Sequence, residues 1–228
     1  MAKHDDATFL TPMGSRWFPD DTPPDSQRAA MRRLADAVRE TIALLAETEA
    51  DEASLVASAT ALEAYNAELA KFPRDRSLWG YAESSNAGDP RGMFDSSPVI
   101  GMANPLAPPL VPHLTGGRVE ATATFGTAYE GPPASVHGGI IAAAFDEVLG
   151  MVQSTTGHGG MTGTLTIKYR TPTPLHREVQ FAGWVERVEG RKIFAKGTLH
   201  AGDVLCAEAE GIFISVDFAR MQELARGR

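Results

Sequence analysis

The sequence predicts an α+β domain in which a curved antiparallel sheet wraps around one central helix, preceded by an N-terminal helical extension. Three observations predict it. From Arg118 to Phe125 apolar Val119, Ala121, Ala123 and Phe125 alternate with Arg118, Glu120, Thr122 and Thr124, the period of a half-buried strand. The Ala-rich apolar run that opens at His137-Gly-Gly and continues through Gly150 is too long for a strand and reads as a buried helix. Four further strand candidates follow it, Thr162–Arg170, Val179–Val188, Lys192–His200 and Val204–Val216, separated only by turn residues.

Taken in chain order, residues 1–24 contain Pro12, Pro19, Pro23 and Pro24 without sustained periodicity and read as a poorly ordered arm. Leu34, Val38, Ile42 and Leu45 then form one stripe of a helix capped by Asp25 or Ser26. After the acidic stretch Glu47–Glu52 comes a second stripe, Leu55, Ala59, Leu62 and Leu69, so two helices, or one long helix with a break, precede Phe72-Pro73. Arg74–Ser97 is rich in Asp, Ser, Gly, Pro and Arg and reads as a linker. The expected organisation is therefore an arm, amphipathic helices and linker over 1–97, a compact domain over 98–217, and a tail over 218–228. Within the domain, Val99–Val111, though interrupted by prolines, is the candidate for a first edge strand. Tyr129-Glu-Gly-Pro-Pro-Ala-Ser135 is a turn-rich entry to the central helix, and Pro172-Thr-Pro174, Glu189-Gly190 and Gly202-Asp203 separate the later strands.

Composition limits the function classes. With 43% hydrophobic and 22% charged residues the 228-residue chain has the material for a packed core. The net charge of −8 argues against nucleic acid, which requires a basic footprint. Most of that charge lies ahead of residue 98, so the second half can still carry basic patches for a phosphorylated ligand. One cysteine, Cys206, allows no internal disulfide and fits a reducing cytosol, and the histidines lack metal-ligand spacing, so neither metal nor cofactor is expected. No apolar run suits a signal peptide or a membrane span, and the expectation is a soluble cytoplasmic protein.

Tyr129-Glu-Gly-Pro-Pro, His137-Gly-Gly, Asp146 nine residues after the His, Met161-Thr162 and Val188-Glu-Gly-Arg-Lys192 together resemble the hotdog-fold thioesterases of the phenylacetate-degradation and human thioesterase-superfamily branch. The resemblance covers roughly residues 98–217. It implies hydrolysis of acyl-coenzyme A thioesters, with Asp146 as nucleophile or general base and Thr162 at the position that holds the attacking water or the carboxylate. One departure stands out: some relatives carry an Asn six residues before the His, where this chain has Gly131.

The residues themselves carry part of the same chemistry. Gly138 and Gly139 begin the central helix, where the first backbone N–H groups lack intrahelical partners and can hold an oxyanion; otherwise the glycines only permit a tight loop-to-helix turn. His137 is expected to orient that loop through a backbone hydrogen bond. Asp146 lies two turns into an apolar helix, where a carboxylate is costly unless paired or used, although Asp146 and Glu147 could also be the helix's solvent side. Thr162 could equally be a local capping hydroxyl. Gly139 and Asp146 share a helix face but stand about 10 Å apart at 1.5 Å per residue, which predicts a homodimer or homotetramer sharing its sites between protomers. The stripe Gly139, Ala142, Ala143, Asp146 and Gly150 is small enough for two helices to approach. Arg191 and Lys192, and less strongly Lys168 and Arg170, are candidates for the phosphates of CoA, or are a solvated basic surface. Trp184, Phe181, Phe194 and Phe213 read as core. Two competing readings are an acyl-thioester dehydratase or hydratase on the same fold, and a non-catalytic acyl-CoA sensor or interaction protein.

Overall fold

The computed structural model describes residues 23–73, 94–108, 110–157 and 160–215. Residues 1–22, most of the Arg74–Ser97 linker and the tail fall outside them. Two capped helices come first: α1, Ser26–Glu47, begins where Asp25 accepts the N–H of Arg28, and α2, Glu52–Leu69, where Asp51 accepts the N–H of Ser54. Each cap satisfies an orphan donor, and the one at Asp51 starts a second helix where one long helix could have continued.

The domain proper contains β1 (Val111–Thr115), β2 (Arg118–Thr124), α3 (Gly138–Ser154), β3 (Gly160–Tyr169), β4 (Glu178–Glu189), β5 (Lys192–Ala201) and β6 (Val204–Ser215). The strands form one antiparallel sheet in the order β1-β2-β4-β5-β6-β3, wrapped around α3 as the hotdog resemblance implies. Gly116 and Gly117, both at positive φ, close the tight β1–β2 hairpin. The edge strand begins later than the sequence suggests. Prolines at 105 and 108 keep the 94–108 segment out of a ladder, and it forms a strap, helical over 94–96 and turning after that, which buries Phe94, Ile100 and Ala107.

α3 buries Ile141, Phe145, Val148, Leu149 and Val152 against Val119, Val179, Phe181, Ile193, Leu199 and Phe213 of the sheet. The helix can sit that low because Gly183 and Gly197 face each other beneath it. A Cβ on Gly183 would lie 2.9 Å from Val148 Cγ1, and one on Gly197 3.2 Å from both Leu149 Cδ2 and Phe145 Cε1. Gly139, Ala142, Ala143, Asp146 and Gly150 are not fully buried. Phe181 and Phe213 are buried, as core residues should be. Trp184 and Phe194 differ: they lie half-buried on the outer face, under the guanidinium groups of Arg118 and Arg187 at 4.6 and 3.6 Å.

The extension docks through arginines. Arg32 reaches from α1 to the buried carboxylate of Asp95 at 2.7 Å, and Arg39 donates to the carbonyls of Asn104 and Ala107 in the strap. α2 buries none of its residues within the chain; Leu55, Val56, Leu62, Tyr65 and Leu69 are all exposed. Among the described residues no helix is long and apolar enough to cross a membrane, and no group of three or more His, Cys, Asp or Glu could hold a metal ion.

Candidate active site

The loop that delivers α3 is held at several points. Val136 N–H donates to Thr173 O, His137 N–H to Tyr129 O, and Gly131 N–H to Ser135 O. At Gly131 a Cβ would lie 2.7 Å from His137 Cα, so the Asn found here in some relatives does not fit this loop path. His137 is the N-cap of α3: its carbonyl accepts the N–H of Ile140, and its Nδ1 accepts the N–H of Gly139 at 2.9 Å. That bond corrects the expectation that both glycine amides are open. Gly139 N–H is taken by the imidazole, whereas among the described residues nothing accepts from Gly138 N–H. With Nδ1 accepting this bond, Nε2 is left as the ring's N–H donor.

Gly138 lines a cleft of about 360 Å³ together with Pro132, Val136, Ile141, Tyr169 and the 170–173 segment. Tyr169 donates its hydroxyl to Gly138 O at 2.7 Å, and its ring lies where a side chain on Gly138 would be, 3.3 Å from that Cβ position. Burial pushes the Tyr169 phenol above its usual range, so it stays a donor.

Asp146 is two turns further along α3. The hydroxyl of Thr162 donates to Asp146 Oδ1 at 2.7 Å. The meeting depends on an irregularity in β3. Leu165 and Ile167 turn toward the core and Tyr169 toward Gly138, so strict alternation would send Thr162 to the opposite face. Between Thr162 and Thr164 the register with β6 shifts, Thr162 pairing with Phe213 and Thr164 with Ile212; Gly163 is the extra residue that turns Thr162 toward α3. The neighbouring Glu147 points elsewhere, beneath the strap, where Ser97 Oγ donates to it at 3.4 Å while accepting the N–H groups of Val99 and Ile100. Burial pushes the Glu147 carboxyl up to about 7, with the Ser97 hydroxyl opposing and the charge of Asp146 adding to the effect.

The site residues thus fall into two groups, one at the start of α3 and the far end of β3, the other at the middle of α3 and the beginning of β3. His137, Gly138, Gly139, Tyr169 and Arg170 form one; Asp146 and Thr162 form the other. Arg191 and Lys192, at the β4–β5 turn, belong with the second, since Lys192 pairs with Ile214 and Ile214 with Met161. Arg191 donates to Ser215 O. Lys168 and Arg170 project toward β6, where Glu210 and Glu208 pair with them at 3.4 and 2.7 Å, offsetting the positive charge proposed for phosphate. Tyr169, Gly163 and the Ser97–Glu147 pair carried no motif. For Tyr169 the available signal was its place on the inward phase of β3, two residues beyond Ile167.

Residues 134–208 match the family profile described as the thioesterase superfamily. Acyl-coenzyme A thioesterase THEM4 from Xenopus laevis is 38% identical over 89 residues, 38% of this chain and 40% of that protein. The corresponding protein from Bos taurus is 37% identical over 90 residues, 39% of this chain and 37% of its own length. The chain thus spans about two fifths of the curated relatives it matches. The solved structure of a thioesterase superfamily protein extends much further: it is 34% identical with a TM-score of 0.72, over 85% of this chain and 97% of its own. Identity at that level along nearly the whole of a relative carries common descent as well as common architecture, and this chain belongs to the thioesterase superfamily.

Proposed function

We propose that the protein hydrolyses acyl-CoA thioesters to the free acid and CoA, using Asp146 with Thr162 at the middle of α3 and the Gly138 N–H at its start. The carrying observation is the Thr162–Asp146 hydrogen bond. Because the Thr162 hydroxyl spends its proton on the carboxylate, its oxygen is left to accept from a water, and the second carboxylate oxygen can take that water's other proton. The water oxygen adds to the thioester carbonyl as its proton passes to Asp146. The carbonyl oxygen becomes an oxyanion at Gly138 N–H, and collapse expels the CoA thiolate, a good leaving group that needs little protonation.

Gly138 and Asp146 stand about 12 Å apart along the axis at 1.5 Å per residue, too far for one carbonyl carbon. The reading therefore includes at least a dimer. β3 is the outer strand of its sheet, ten residues long and exposed along most of its length, an edge that invites pairing. Antiparallel pairing of β3 with its copy about a two-fold axis near Leu165 brings the Gly138–Tyr169 end of one protomer to the Asp146–Thr162 end of the other, with Arg191 and Lys192 nearby for CoA phosphates. The capping bond of His137 weighs against a dehydratase that would need this imidazole for proton transfer.

The test is Asp146→Asn, assayed on a panel of acyl-CoAs with a thiol-detecting reagent. The expected loss in kcat is on the order of 10²–10⁴-fold with binding largely kept. Glu147→Gln, aimed under the strap, is expected to retain turnover. Full activity in Asp146→Asn, or equal losses in both variants, would show that the acid is structural.

A further inference from the structure

We infer that Tyr169 is a positioning residue for the oxyanion donor: its hydroxyl and the His137 imidazole grip the Gly138–Gly139 peptide from its two sides and thereby set the direction of the Gly138 N–H. The inference rests on the thioesterase reading of this site and adds a residue to it. Gly138 has no side chain to restrict its backbone, so its orientation must come from the peptide units on either side. The preceding unit is held by His137 O, which accepts from Ile140 N–H at 3.0 Å. The following unit is held at both ends, its carbonyl by Tyr169 Oη at 2.7 Å and its N–H by His137 Nδ1 at 2.9 Å. With both planes fixed, Gly138 N–H is left pointing back out of the helix terminus, on the wall of the cleft. A Cβ on Gly138 would stand 3.2 Å from Tyr169 Oη, so a side chain at 138 would ask the hydroxyl to give by a few tenths of an ångström.

Tyr169 is also carried on the same strand as Thr162, seven residues away, so β3 supports both halves of the site. The strand that contacts the base at one end holds the oxyanion donor at the other.

Tyr169→Phe removes the hydroxyl and keeps the ring. On the best acyl-CoA of the panel its kcat is expected to fall about tenfold, the worth of one hydrogen bond, with KM within about twofold of wild type. In protein labelled with 15N-glycine, the amide resonances of Gly138 and Gly139 should shift, while the thermal midpoint stays unchanged. Wild-type kcat in the variant overturns the proposal, and so does a rise in KM at constant kcat, which would make the hydroxyl a substrate contact. If the wild-type protein turns over no acyl-CoA, the thioesterase reading fails by itself. The glycine resonances then decide alone, and unshifted signals in Tyr169→Phe reject the positioning role.

Discussion

Thr162 and Asp146 meet because β3 departs from regular alternation at one residue. Gly163 has little room for a side chain, since a Cβ there would lie 3.1 Å from Ile214 Cγ1 and 3.3 Å from Ile212 O. The bulge that it occupies changes the phase of the strand, and without it the hydroxyl would face away from α3. Thr162→Val keeps the shape and removes the donor. Loss of a hydrogen bond to a charged group predicts a fall in kcat of about 10–100-fold, with Thr162→Ser recovering most of it. Equal kcat in Val and Thr forms would show that the hydroxyl only caps the strand. The glycines at the helix start and the acid nine residues after His137 were legible in the sequence, because both are properties of a local spacing. The Gly163 bulge and Tyr169 were not, because they depend on how β3 runs past α3. The capture of Gly139 N–H was hidden for another reason: it turns on one imidazole rotamer folding back over its own helix.

α1 was legible from its apolar stripe and its Asp25 cap, but its docking is carried by Arg32 and Arg39, seven residues apart, whose side chains read in a sequence as a solvated face. The strap they hold was hidden among prolines read partly as linker and partly as strand. α2 has the converse character. Its leucines recur at 55, 62 and 69 yet stay exposed, and in proteins most of a helix's stability comes from packing such an apolar face. The strap also sets a pH dependence through Glu147. Its folded-state carboxyl titrates near 7, above the 4.5 of the unfolded chain, so between those values the folded state holds a proton that the unfolded state lacks. Stability from this group is fully present below about pH 4.5, falls as pH rises through that window, and levels off above 7. At 1.36 kcal/mol per unit the loss is at most about 3 kcal/mol. Urea midpoints at pH 5, 6, 7 and 8 should fall for wild type relative to Glu147→Gln. Parallel curves for the two proteins would mean that the strap does not keep this carboxyl neutral.

At the scale of the whole molecule, the 34% identical structure covers 85% of this chain, more than the 98–217 domain can account for, so the helical extension is part of what the two proteins share. The hotdog domain was legible because one strand, a buried helix and four strands admit few ways of burying a single apolar helix. The proposal of a shared site starts from a distance in the sequence, and the two separated groups of residues make it a question of assembly. It can be put to the protein directly. Gly138 is the first residue of α3, where proline is well tolerated, and His137 already has the extended backbone that a following proline requires, φ −59 and ψ 131. Gly138→Pro therefore deletes the proposed donor with only a few tenths of an ångström to be found at Tyr169. Asp146→Asn deletes the base. Each variant alone should be inactive, but when equal amounts are unfolded together and refolded, half of the dimers carry one copy of each. If sites are shared, every mixed dimer contains one site with both Gly138 and Asp146 intact and one with neither, so activity should return to about a quarter of wild type. If both groups act within one protomer, every site in the mixture lacks something and no activity returns, which would refute the shared site while leaving the role of Asp146 standing.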